Sequence, residues 1–117
     1  MNAAKVSVIL PAFNESAAIK GIVSRVRKMY PQFEVIVIDD GSSDDTAAEA
    51  EKAGAKVYSH PYNIGNGAAV KSGIRIASGD VLVFMDGDGQ HDPAEIEKLL
   101  ECSQTILVCH SDKLHNS

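Results

Sequence analysis

Four apolar runs rich in β-branched residues punctuate the chain, at residues 6–10, 35–38, 56–58 and 81–85, and each predicts a strand. The stretches between them carry a different period. Ile19, Ile22, Val23, Val26 and Tyr30 recur at helical spacing, as do Ala47, Ala50 and Ala53, then Ala69, Val70, Gly73, Ile74 and Ala77, and last Ile96, Leu99 and Leu100. The predicted order is therefore βαβαβαβα. Strands that are apolar along their whole length are covered on both faces, so the fold class is α/β, an open and mainly parallel sheet with right-handed crossovers and helices on both faces. No internal repeat or linker interrupts residues 1–117, which read as one domain. Residues 101–117 form an atypical tail whose one strand-like run is 105–109, and it reads as loose.

Polar residues cluster directly after each predicted strand. Pro11-Ala12-Phe13-Asn14-Glu15, Asp39-Asp40-Gly41-Ser42-Ser43, Asn63-Ile64-Gly65-Asn66-Gly67 and Asp86-Gly87-Asp88-Gly89-Gln90 all fall at carboxyl ends. In an open parallel sheet those ends make one rim, and ligands bind in the crevice where the strand order reverses. The last cluster has the chemistry of a cation site. Asp86 and Asp88 offer hard carboxylate oxygens, Gln90 a neutral oxygen, and Gly87 and Gly89 a backbone that a ligand can approach, which is the donor set magnesium or manganese prefers. Two carboxylates ~4 Å apart repel by ~4 kcal/mol at an effective dielectric of ~20. A domain has only ~5–15 kcal/mol of stability in total. Asp39, Asp40, Asp86 and Asp88 on one rim thus call for a cation, or for some of them to cap helices instead.

Several of these residues also have plainer readings. Asp92-Pro93-Ala94-Glu95 has the cap, first-turn proline and following glutamate of a helix start, so Asp92 is read as a cap and not a ligand. Asn14 is likewise read as the cap of the helix after it. Glu15 either favours that helix's dipole or reaches into the crevice. Ser43, Asp44, Asp45 and Thr46 read as turn and cap residues, whereas Asp40 is favoured as a ligand contact. Gly65-Asn66-Gly67 is only a partial dinucleotide fingerprint, since residue 70 is Val and the stretch follows the third strand. Its glycines suit a tight turn into the next helix, whose first amides suit phosphate. Asp86, Asp88, Gln90 and Glu97 have calcium-loop offsets, but His91 stands where that loop needs glycine. Cys102, Cys109, His110 and His115 fit no usual zinc spacing.

Composition narrows the partners. A net charge of -5 gives no nucleic-acid footprint, and Arg25, Arg27 and Lys28 lie together on one helix rather than in a stripe. Two cysteines make no disulfide framework. No apolar run approaches the ~18 residues of a membrane span and no secretion signal opens the chain, so the expected location is cytoplasmic.

With these residues in view, Val8-Ile9-Leu10-Pro11-Ala12-Phe13-Asn14-Glu15, Val37-Ile38-Asp39-Asp40-Gly41-Ser42 and Met85-Asp86-Gly87-Asp88-Gly89-Gln90-His91-Asp92-Pro93 together resemble the inverting family 2 glycosyltransferases. The dolichol-phosphate mannosyltransferase group and its bacterial polyprenyl-phosphate relatives are the most similar part of that family, over about residues 5–100. The resemblance implies a GT-A type, Rossmann-like nucleotide-sugar-binding fold. It implies that Pro11, Phe13 and Glu15 border the nucleoside, that Ile38 and Asp40 contact base and ribose, and that Gly87 lets the donor lie close. Asp86, Asp88 and Gln90 would hold Mg2+ or Mn2+ on the diphosphate of a GDP- or UDP-sugar. Phe13 replaces a tyrosine often found there, which loses a hydroxyl and keeps the stacking ring. The implied reaction is in-line displacement of the nucleoside diphosphate by an acceptor, with inversion. The implied acceptor is a polyprenyl phosphate at the cytoplasmic face of a membrane.

Relatives of this family continue past the metal motif, and residues 101–117 do not match that continuation. The expectation is a truncated donor-binding half, with an unpaired sheet edge that favours self-association. A binding-only fragment without turnover is one alternative. A phospho-acceptor receiver domain is another, because Asp39-Asp40 closes one strand and Asp86 closes a strand two βα units later, with the first βα unit then surplus.

Overall fold

The computed structural model describes residues 5–85, 106–109 and 114–116. Six strands, β1 (Val6–Ala12), β2 (Glu34–Asp39), β3 (Lys56–Ser59), β4 (Val81–Met85), β5 (Ile106–Cys109) and β6 (Leu114–Asn116), form one sheet in the order β3-β2-β1-β4-β5-β6. All neighbours pair in parallel except β5 and β6, which are antiparallel. Three helices are described: α1 (Ser16–Met29), α2 (Thr46–Lys52) and α3 (Asn66–Ile76).

Alternation along the strands splits the core in two. Val8, Leu10, Val35, Val37, Val83 and Met85 point to one face and pack against Ile19, Ile22, Val23 and Val26 of α1 and Ala50 of α2. Ile9, Ile36, Ile38, Leu82 and Phe84 point to the other and pack against Ala69 of α3. The α/β architecture is therefore the predicted one, a mainly parallel sheet with helices on both faces. At Gly73 the contact is so close that a Cβ would lie 2.5 Å from Cγ2 of Ile9. Ile74, expected on the apolar face of α3, is 44% exposed instead. The predicted helix through Ile96, Leu99 and Leu100 and the predicted cap at Asp92 lie outside the described residues.

Three details differ from the sequence reading. β1 runs on through Pro11 to Ala12, pairing with Ile38 and Asp39, so its polar cluster begins inside the strand. The expected loose tail instead supplies β5, paired with β4, and β6, paired with β5. Strand order also excludes the receiver reading. A receiver pairs its first and third strands directly, in the order 2-1-3-4-5. Here β1, the surplus strand of that reading, lies between β2 and β4 and separates them.

The amino ends of the strands are tied by one carboxylate. Glu34 Oε1 accepts from Ser7 Oγ at 2.6 Å and from Ser78 N at 3.0 Å, and Oε2 accepts from Lys56 Nζ at 2.5 Å and Ser78 Oγ at 3.1 Å. Burial pushes the Glu34 carboxyl upward, but these donors outweigh it and lower it from its ordinary 4.5 to about 2. Full conversion of that shift gives about 3 kcal/mol, and screening at the exposed Lys56 end brings it to about 1–2 kcal/mol. A depressed carboxylate stabilises the fold above its unfolded value and loses that contribution as pH falls toward the folded one. Urea denaturation of Glu34→Gln is expected to show about 1–2 kcal/mol of lost stability at pH 7. The difference from the parent should shrink between pH 4.5 and about 2, and a difference that stays constant to pH 2.5 would refute the assignment.

Candidate functional site

The strand registers open a crevice at one end of the sheet. β1 pairs with β2 as far as Ala12 opposite Asp39, but its pairing with β4 ends at Ile9 opposite Phe84. Beyond that point β1 and β4 part, and the order reverses there, because β2 and β3 lie on one side of β1 and β4 to β6 on the other. Pro11, which has no N–H to donate, stands where the ladder with β4 has already ended.

A cavity of about 280 Å3 lies at this end, lined by Pro11, Ala12, Phe13, Asp40, Asn63, Gly65, Asn66 and Ala69. The sequence-predicted residues Pro11, Phe13 and Asp40 are thus brought together. Phe13 is 45% exposed, so its ring stands at the lip. Ile38 is fully buried in the core with Ile9, Ile36 and Phe84 and is not among the lining residues. Glu15 is half-buried at the start of α1, and its backbone N–H donates to Thr46 Oγ1 at 2.9 Å. Asp86, Gly87, Asp88 and Gln90 lie outside the described residues; β4 carries the chain to Met85, one residue before them.

Asp40 is the organising group. Its carboxylate, buried to 5% exposure, accepts from Ile64 N at 3.0 Å, Gly65 N at 2.9 Å and Asn63 Nδ2 at 3.1 Å, and meets His60 Nδ1 at 2.7 Å. Behind it, His60 Nε2 lies 2.8 Å from Ser72 Oγ on α3. Burial raises the Asp40 carboxyl, but the His60 contact and the two backbone N–H bonds outweigh it, and the net shift is downward. The charge crowding expected of the rim aspartates is met at Asp40 by fixed donors. Asp39 is used in the same way, accepting from Ser42 N at 3.0 Å and Ser59 Oγ at 3.2 Å.

His60 and Ser72 were not found by sequence reasoning. The available signal was an ionisable residue directly after the third strand, at the same rim as the other clusters. Asn14 does not cap α1 as its position in the sequence predicts. It has φ 53, makes no cap bond, and its Oδ1 accepts from Ser43 N at 2.9 Å and Ser43 Oγ at 3.3 Å, tying the loop after β1 to the loop after β2. The cap role falls to Asp44, which accepts from Thr46 N in α2 at 3.0 Å and from Ser16 N in α1 at 3.3 Å. The Thr46 hydroxyl also bonds it, and these donors hold the Asp44 carboxyl below its usual range.

Comparison with known proteins agrees with this geometry. Residues 7–105 match the family described as Glycosyl transferase family 2. The chain belongs to that family. Among curated relatives of this family 2 chain, the dolichol-phosphate mannosyltransferase of Pyrococcus furiosus is 39% identical over 103 residues, covering 83% of this chain and 29% of the relative. The undecaprenyl-phosphate 4-deoxy-4-formamido-L-arabinose transferase of Serratia proteamaculans is 33% identical over 110 residues, covering 86% and 34%. A crystal structure of glucosyl-3-phosphoglycerate synthase from Mycobacterium tuberculosis in complex with Mn2+, UDP and glucosyl-3-phosphoglycerate superposes with a TM-score of 0.74 at 34% identity, covering 85% and 39%. The chain therefore spans about a third of the length of these family 2 relatives. Its described sheet is of the GT-A type, and its cavity lies at the carboxyl ends of the strands, where open parallel α/β sheets bind ligands.

Gly41 joins the site to the turn after β3. It has φ +74, and a Cβ there would lie 2.2 Å from the carbonyl carbon of Tyr62 and 2.4 Å from Asn63 N. Both obstacles are backbone, so relief requires the 61–65 turn to move. Gly41→Ala is expected to cost about 2–4 kcal/mol in denaturant unfolding. A loss below 0.5 kcal/mol would show that the turn is not held against Gly41.

Proposed function

We propose that this chain is the donor-binding part of a metal-dependent, inverting glycosyltransferase. The cavity takes the nucleoside of a UDP- or GDP-sugar, and the acceptor is a polyprenyl phosphate at the cytoplasmic face of a membrane. One observation carries the reading: Pro11 to Phe13, Asp40, and Asn63, Gly65 and Asn66, distant in sequence, converge on one cavity where the sheet order reverses. At about 280 Å3 it lies near the lower end of ligand pockets, ~300–1,000 Å3, which suits a nucleoside rather than a whole sugar nucleotide. Phe13 supplies a ring for stacking on the base. Gly65 and Asn66 place the amino end of α3, with its partial positive charge, at the cavity wall, where it favours an anionic neighbour.

The donor set proposed for the cation is Asp86, Asp88 and Gln90, hard oxygen ligands that fit Mg2+ or Mn2+. Among the described residues no group of three or more His, Cys, Asp or Glu could hold a metal ion. A bound cation would neutralise charge developing on the diphosphate leaving group. The chain's own residues bind and orient the donor and exclude water around the base.

The metal and UDP are supported by the M. tuberculosis synthase, whose structure contains both. The acceptor is supported by the two relatives named for dolichol phosphate and undecaprenyl phosphate. Among the described residues no helix is long and apolar enough to cross a membrane. Self-association through a sheet edge belongs to the same reading, with β3 at one edge of the described sheet.

A thermal-shift panel of UDP, GDP and their sugars, with and without Mn2+, tests this reading. A ligand at 100 times its dissociation constant adds ~2.7 kcal/mol of stability. Stabilisation by one nucleotide is expected to require the metal and to disappear in Asp88→Ala. Equal stabilisation of parent and variant, or none by any nucleotide, would defeat the proposal.

A further inference from the structure

His60 touches no part of the nucleoside cavity, yet it stands behind the group that organises it. It lines a separate depression with Tyr58, Ile64, Lys71, Ser72 and Arg75, whereas Asp40 faces the cavity. The carboxylate has about four lone-pair sites. Four donors converge on it: His60 Nδ1 at 2.7 Å and Ile64 N at 3.0 Å on Oδ1, and Gly65 N at 2.9 Å and Asn63 Nδ2 at 3.1 Å on Oδ2. All four come from residues 60–65.

Backbone packing against Gly41 and the bond from His60 N to Asp39 O at 2.8 Å also hold that turn, but its own side chains add little. Pro61, Tyr62, Asn63 and Ile64 are exposed, with Tyr62 at 67% and Ile64 at 49%, so no apolar side chain of those four anchors the segment in the core. His60 itself is 7% exposed and fastened to α3 through Ser72 Oγ at 2.8 Å. An ionised Asp40 can only accept, so Nδ1 carries a proton and donates to it, while Nε2 shares a second hydrogen bond with the Ser72 hydroxyl. The ring thereby links the end of β2 to the middle of α3 and fixes the rotation of the Asp40 carboxylate.

We infer that His60 is a positioning residue for nucleotide binding: from outside the cavity it locks Asp40, and through Asp40 it preforms the Asn63, Gly65 and Asn66 wall. The inference rests on the nucleotide reading given under Proposed function. A wall that must be ordered on binding costs affinity, and one held in advance does not.

The experiment uses the full 117-residue chain. UDP affinity in the presence of Mn2+ is measured by calorimetry for the parent, His60→Leu and His60→Asn, and the backbone amide proton shifts of Ile64 and Gly65 are recorded by NMR without ligand. His60→Leu removes the donor to Asp40 and is expected to weaken binding by roughly 10–100-fold and to move both amide signals. His60→Asn keeps an N–H near the Nδ1 position and is expected to stay within about threefold of the parent, a rescue that general loss of packing would not give. If His60→Leu does not fold, Ser72→Ala frees the ring from behind and is expected to weaken binding by about 3–10-fold. Undiminished UDP affinity in His60→Leu, or in Ser72→Ala where that variant is used, would overturn the inference. So would an Asn variant as weak as the Leu variant. If the parent binds no nucleotide, the reading under Proposed function fails, and the ligand-free amide shifts then decide the clamp: unchanged Ile64 and Gly65 signals in the variants overturn it.

Discussion

Strand β1 is the constraint on which the rest depends. It is paired on both edges and covered on both faces, with Val8, Ile9 and Leu10 showing no exposed surface. Burying each such side chain contributes about 1.5–3 kcal/mol, more than any single polar contact at the surface of this fold. Because β1 is central, its carboxyl end lies at the point where the sheet order reverses. Because its ladder with β4 stops three residues before its ladder with β2, that end opens into a crevice. Packing thus creates the site as a by-product of the core.

The two ends of the sheet do different work with the same chemistry. At the amino ends Glu34 collects donors from β1, β3 and the turn before β4, and the product is rigidity. At the carboxyl ends Asp40 collects donors from the turn between β3 and α3, and the product is a shaped wall. Both carboxylates are held below their ordinary range by the bonds that fix them. The second faces the cavity at the switch point. In open parallel sheets it is the carboxyl end, where Asp40 lies, that borders the ligand crevice.

Family membership fits this division of labour. Relatives about three times as long share this segment, in which each end of the described sheet is tied by the chain's own side chains. Asn14 and Asp44 carry the same economy further. One asparagine ties the loops after β1 and β2, and one aspartate caps α1 and α2 together, so the rim is braced from within the chain.

The sequence by itself determined the four main strands, the faces of the three described helices apart from Ile74, and the rim on which the polar clusters after β1, β2 and β3 gather, because two-residue and 3.6-residue periods record burial locally. It also placed Pro11, Phe13 and Asp40 at the site, since each follows a fully apolar run. Strand order, the separation of β1 from β4, the pairing of β5 and β6 and the true role of Asn14 were decided only by tertiary structure. So was the chain from Asp40 through His60 to Ser72, whose members are 20 and 12 residues apart. The physical reason is common to all of these. Periodicity encodes which face of an element is buried, while the partner that covers it, and the polar atom that meets a distant carboxylate, depend on how the elements are laid side by side.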